Sequence, residues 1–322
     1  MSELALRPYA GAADIAALVE IINGEWQHDG LPERVTVAEK QAEYGTPSEQ
    51  FDPLRDITIA EIGGRPVGYA IRGWNDASDS ELREYRTDGS VLPEWRGQGI
   101  GRALLRESMG MATVLADSHQ ASRARAFGSL SHEHQPRDEA LLRSEGYQPA
   151  RFFFDMVRAH LDDVPEVALP DGLEIRAVTR ADTPAIFRAD AEAFRDHWGG
   201  FEDSPEELQR WLDSPELDPD LWLIAFDGAE IAGGVINAVY SEENAALGVN
   251  RFWLDSVFTR RPWRGRGLAR ALISRSLVMM RERGLSSAIL GVDADNPTGA
   301  LGLYESLDFA VEHRSTAWRK PF

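Results

Sequence analysis

"RGRGLARALI" spans Arg264–Ile273, and "RGQGIGRALL" spans Arg96–Leu105, 168 positions earlier. Each copy sets two glycines two positions apart and then a run of helix-forming residues. Glycine reaches backbone angles closed to other residues, so the phrase reads as a tight turn that opens a helix. The two copies do not stand alone. "LALRPYAGAADIAAL" from Leu4 matches "LEIRAVTRADTPAIF" from Leu173, with Arg7 over Arg176. "IAEIGGRPVGYAI" from Ile59 matches "IAFDGAEIAGGVI" from Ile224, and "SEGYQ" (144–148) matches "SLDFA" (306–310). Four blocks in one order at a nearly constant offset indicate a duplicated domain, because solenoid repeats have periods of only about 20–50 residues.

The duplication predicts a first domain over 1–158, a linker over 159–172 ("AHLDDVPEVALPDG") and a second domain over 173–322. The linker is acidic, holds two prolines and lacks helical or strand periodicity. Each half predicts the same elements. A short strand (4–8; 173–178) precedes a helix, with Asp14 or Asp182 expected as N-cap. A second helix follows (36–45; 205–213), where Ser204 is the expected cap and Pro205 the first helical residue. Then come a hairpin, a long strand (82–92; 250–259), the glycine turn, a long helix (99–117; 267–283) and further strands. Strands with interspersed helices indicate a mixed α/β fold.

The chain has 322 residues, an apolar fraction of 43% and a formal net charge of −19. Such acidity opposes nonspecific nucleic-acid binding, which needs Lys and Arg against phosphates. No apolar run approaches the ~20 residues of a membrane span. The start, "MSELALRPYAGAAD", lacks signal-peptide features, so a cytoplasmic protein is expected. There is no cysteine, hence no disulfide, thiolate metal site or cysteine nucleophile. His132-x-His134 lacks an evident third ligand and reads as a polar loop, so no metal is expected.

A glycine turn at a helix start offers unpaired N–H groups and a positive dipole end, which together suit phosphate. Neither copy carries the Lys-Ser/Thr pair of a P-loop, and neither has GxGxxG spacing. Both fit R-x-x-G-x-[GA], at Arg96–Gly101 and Arg264–Ala269. This pattern, with the order of elements around it, resembles the GCN5-related N-acetyltransferases (GNAT), across nearly the whole chain and in both halves. The resemblance implies two tandem domains, each a mostly antiparallel central sheet flanked by helices. It also implies acetyl-CoA as donor and a primary amine of a small molecule as acceptor. Its pyrophosphate loop maps to Arg264, Gly265, Arg266, Gly267, Leu268 and Ala269, and in the first half to Arg96, Gly97, Gln98, Gly99, Ile100 and Gly101. Val257, Phe258 and Thr259, with Val91 in the first half, fall on the strand that lies along the pantetheine arm.

In the second half, "DADNPTGALGLYESLDF" (293–309) resembles the family's other cofactor segment. Asn296 matches the Asn that meets the cofactor, although Asn-Pro is equally an ordinary helix start with Asn296 as N-cap. Tyr304 matches the Tyr that serves as general acid in many members. In the first half His134 and Leu142 take those places, and leucine cannot protonate a thiolate. An attacking ammonium must lose a proton, so a base is needed. Asp255, nine residues before Arg264 and sharing strand parity with Trp253 and Val257, is the candidate base, with a substrate anchor or a structural strand residue as the alternatives. Glu192, Glu202 and Asp203 are further acids near the first helices. The fused layout resembles the mycothiol synthases, which acetylate a cysteinyl amino-sugar, although Trp253 stands where some tandem members carry Glu. A non-catalytic acyl-CoA sensor and a protein N-acetyltransferase share these motifs. The paired halves are compatible with a monomer holding an internal pseudo-dimer, or with a homodimer.

Overall fold

The glycine turns fold alike in both copies. Gly97 and Gly99 take φ of 78° and 86°, and Gly265 and Gly267 take 74° and 85°. These left-handed angles strain any residue with a Cβ, which is why glycine stands at all four positions. The computed structural model describes residues 3–77, 80–119, 123–195, 197–198, 203–296 and 299–322. Contacts divide the chain into two units, Met1–Arg151 with Ser315–Phe322, and Phe152–Arg314.

The first unit contains β1 (Leu4–Pro8), α1 (Ala12–Asp29), α2 (Val37–Gly45), α3 (Pro53–Asp56), β2 (Ile57–Ile62), β3 (Arg65–Asp76) and β4 (Leu82–Val91). After the glycine turn come α4 (Ile100–Ser118), β5 (Ala124–His132) and α5 (Pro136–Ser144). Strands β1 to β4 pair antiparallel in chain order, and β4 pairs parallel with β5. Residues 315–321 of the last strand close this sheet beside β5. Asp14 does not cap α1, whose N-cap is Gly11. Its carboxylate instead receives two 2.7 Å hydrogen bonds from Arg7, tying α1 to β1.

The second unit repeats this plan. It takes residues 152–158 of β6 (Gln148–Arg158), then β7 (Glu174–Arg176), α6 (Thr183–Phe194), α7 (Pro205–Asp213), β8 (Leu223–Asp227), β9 (Glu230–Ala238) and α8 (Ser241–Leu247). It continues with β10 (Arg251–Thr259), α9 (Leu268–Glu282), β11 (Ser287–Asp293), α10 (Ala300–Glu305) and the start of β12 (Ala310–Pro321). Strands β7 to β10 pair antiparallel, β10 pairs parallel with β11, and β11 pairs antiparallel with residues 153–158. Each sheet therefore receives its last strand from the other half of the sequence. Residues 159–172 carry no helix or strand, and Leu161, Val164 and Leu169 pack on the second core. That core holds Phe252, Leu272, Leu277 and Ile186, all buried, each contributing roughly 1.5–3 kcal/mol by burial.

Ser204 caps α7 as its sequence predicts, accepting from the Glu207 N–H at 3.1 Å. Asp182 occupies the expected N-cap position of α6 but makes no side-chain cap hydrogen bond; its carboxylate accepts from the Thr179 N–H at 2.8 Å in the turn before.

The parallel strand pairs open the sites. Pairing of β4 with β5 ends at Arg86/Gly128, and pairing of β10 with β11 ends at Trp253/Ile289. The strands then diverge while β10 stays paired with β9 to Thr259. One backbone edge of β10 is left facing a cleft.

Candidate active site

The cleft of the second unit has a volume of about 650 Å³. It is lined by β10 from Leu254 to Thr259, the turn residues Arg264, Gly265 and Gly267, the start of α9 at Leu268 and Ala269, and, across the gap, Asn296 and Tyr304. The structure thus gathers Asp255, Val257, Phe258, Thr259, Asn296 and Tyr304 around one space with the turn. Nothing lies within 4 Å of where a Cβ would project from Gly265 or Gly267, so the turn presents open backbone. The open β10 edge, the bare turn and the N-terminus of α9 fit the amides and diphosphate of coenzyme A.

The arginine that begins the motif spends hydrogen bonds on the protein's own backbone. Arg264 Nε donates to the Thr259 carbonyl at 3.0 Å, and its Nη2 to the Ala193 carbonyl at 2.9 Å. It braces the end of β10 and the end of α6 against the turn. Arg96 does the same work in the first unit through carboxylates, donating to Asp29 at 2.7 and 2.8 Å and to Glu25 at 2.9 Å. Arg266 is anchored on the Asp171 carbonyl at 2.9 Å.

Asp255 occupies a β-bulge. Leu254 pairs with Asn237 and Ser256 with Ile236, leaving Asp255 as the extra residue. A bulge breaks the alternation of strand faces. Asp255 and Ser256, neighbours in sequence, therefore line the same pocket, and the parity expected from Trp253 to Val257 fails at this point. Asp255 Oδ2 accepts from the Tyr240 hydroxyl at 2.9 Å. Asp255 reaches solvent through the cleft, yet the protein crowded around it pushes its carboxyl up to about 7. The Tyr240 hydrogen bond opposes that rise, and Glu216 and Glu243 add to it. Behind it, buried Asp190 accepts from Ser256 Oγ at 2.6 Å, and burial pushes Asp190 up to about 7 as well. Trp253 Nε1 donates to Glu243 at 3.0 Å.

Tyr304 sits on α10, buried, with its ring edge-on to Phe309 at 6.1 Å. Burial pushes its hydroxyl up to about 12, so it holds its proton at neutral pH. Asn296 is not the cap of α10; that place is Gly299, whose N–H donates to the Asn296 carbonyl at 3.2 Å. Of the other acids, Glu192 is paired with Arg260 at 2.9 Å and Asp203 is exposed. Glu202 lies outside the described residues.

A second pocket, of about 270 Å³, adjoins the cleft and shares Phe194, Asp255 and Ser256 with it. Sequence reasoning missed the other residues that give it its character, among them Asp190, Trp211, Glu216, Trp222 and Tyr240. Asp190 and Ser256 are 66 positions apart, and only the packing of α6 on β10 makes them partners. The apolar stripe of α7 is the one local signal that could have pointed to Trp211.

The first unit has its own cleft, of about 780 Å³, lined by Val91, Arg96, Gly97, Gly99, Gly101 and Leu142 among others. Its chemistry differs. Pairing of β4 with β3 runs from Val91 to Arg83 without a bulge. Thr87, nine residues before Arg96, spends its hydroxyl on the Gly128 carbonyl and Tyr147. Glu25, Asp29 and Asp138 crowd around Arg96, and burial pushes Glu25 up to about 7.

Comparison with known proteins agrees with this geometry. The model of the acetyltransferase (GNAT) family matches residues 183–309, and that of an acetyltransferase (GNAT) domain matches residues 53–149. The mycothiol acetyltransferase of Streptomyces scabiei is 31% identical over 322 residues, covering 97% of this chain and 94% of that one. That of Geodermatophilus obscurus is 29% identical over 316 residues, covering 96% and 94%. The solved GCN5-related N-acetyltransferase from Sphaerobacter thermophilus superposes with a TM-score of 0.71 at 25% identity, covering 99% of this chain and 95% of that one.

Proposed function

The chain belongs to the GNAT family and is an acetyl-CoA-dependent N-acetyltransferase; within that activity, we propose that the second unit carries the reaction, with a small-molecule amine in the pocket beside Asp255. The observation that carries the reading is the bulge. It turns a carboxyl near neutrality toward the junction of a cofactor-shaped cleft and a separate pocket.

The chain's own groups divide the work. Gly265, Gly267 and the first amides of α9 hold the diphosphate, and the open edge of β10 at Val257–Thr259 holds the pantetheine arm. Acetyl-CoA supplies the acetyl group as a thioester. An Asp255 carboxyl at about 7 is substantially ionised at neutral pH, so its oxygens can take the proton that the acceptor ammonium must lose. Tyr304, buried and protonated, gives a proton at the sulfur end. Asp190 positions rather than reacts: it fixes Ser256 and through it the bulge.

A second reading places a mycothiol precursor in the acceptor pocket. The two relatives above support it through their names and their near-complete overlap.

Thiol release from acetyl-CoA, followed with an amine acceptor, tests the assignment. Asp255→Asn is expected to lower kcat/KM by about 10²-fold while acetyl-CoA binding persists. An unchanged rate in that variant removes Asp255 as base.

A further inference from the structure

We infer that the pocket beside Asp255 selects a compact arylalkylamine that carries no carboxylate. The inference rests on the reading of that pocket as the acceptor site, and three features of the pocket support it.

The first is size. At about 270 Å³ the pocket lies below the ~300 Å³ at which sites for drug-sized ligands begin. The second is the wall. Phe194, Trp211, Trp222 and Tyr240 line it. Trp211 is fixed edge-on between Phe187 at 5.2 Å and Trp222 at 6.1 Å. Fixed rings favour a flat apolar body and attract a cation to their faces.

The third is charge. Asp190, Glu216 and Asp255 line the pocket, and none of its described lining residues is Arg, Lys or His. Buried Asp190 is held by the neutral hydroxyl of Ser256, not by a cation. An ammonium is drawn to this site, whereas the carboxylate of an amino acid would meet three acids and no cation among the described lining residues. A hydroxyl-rich sugar conjugate would leave many of its hydroxyls facing aromatic carbon. The aromatic wall selects the body of the acceptor, and the acids select its charge.

The test measures thiol release from acetyl-CoA by the full chain with phenethylamine, phenylalanine and a cysteinyl glucosamine as acceptors. The expected kcat/KM for phenethylamine exceeds that for the other two by at least about 100-fold. Glu216→Gln is expected to raise the KM for phenethylamine roughly tenfold with little change in kcat and none in acetyl-CoA affinity. Turnover of phenylalanine or of the sugar conjugate equal to that of phenethylamine overturns this inference and leaves the transferase reading standing. An unchanged KM in Glu216→Gln also overturns it. If acetyl-CoA binds but no acceptor releases thiol, both this inference and the acceptor-site reading fall.

Discussion

Two carboxyls, Asp190 and Asp255, sit near neutrality for the same reason, since protein crowds each and no cation among the described residues holds its charge. Their consequences differ. Asp255 must be ionised to take a proton, so kcat/KM for the acceptor is expected to rise with pH through about 7. Asp255→Asn should erase that limb, and a pH–rate profile of both proteins checks it. Asp190 is a matter of stability. Its folded pKa lies above the unfolded value, so the folded state binds the proton more tightly. That contribution is complete below the unfolded pKa near 3.9 and is lost as pH rises through about 7. Asp190→Asn keeps an acceptor for Ser256 and never ionises. Thermal melts should show it more stable than the parent at pH 8, by up to ~4 kcal/mol, and little different at pH 4. Neither carboxyl's state was legible in the sequence. Asp255 could be found by its spacing from Arg264, but its bulge has no sequence signal, and strand alternation pointed to the wrong neighbours.

At the scale of elements, the glycine turns were the most legible part of the chain, because a left-handed backbone angle leaves little choice of residue. Arg96 and Arg264 were less so. Both stand beside the turn, and only their hydrogen bonds show that they brace it. Capping was read with mixed success for a related reason. Ser204 accepts from the Glu207 N–H, whereas Arg7 claims the Asp14 carboxylate, and the carboxylate of Asp182, at the N-cap position of α6, turns back to the Thr179 N–H. Gly267→Ala is expected to strain the turn, at φ 85° with open space around the new methyl, by about 1–2 kcal/mol. Calorimetry with acetyl-CoA should then show affinity weakened roughly tenfold, since the strained turn is the one that presents its amides.

At the scale of the whole chain, the two copies share one scaffold and differ in the side chains that line their clefts. The repeat in the sequence reported two copies of one fold. It did not report that each sheet takes its last strand from the other half, because strand pairing over such distances leaves no local pattern. The difference between the two clefts was visible in part. Leu142 stands in the first unit where Tyr304 stands in the second, and the structure places each on its own cleft. The regular β4 and the engaged Thr87 hydroxyl deepen that difference. On the function proposed above, acetyl transfer belongs to the second unit and is completed by a proton from Tyr304. The most direct measurement is the turnover of Tyr304→Phe, with acetyl-CoA affinity measured alongside. The predicted result is a kcat lower by about 10–100-fold with affinity unchanged; a kcat equal to that of the parent contradicts it.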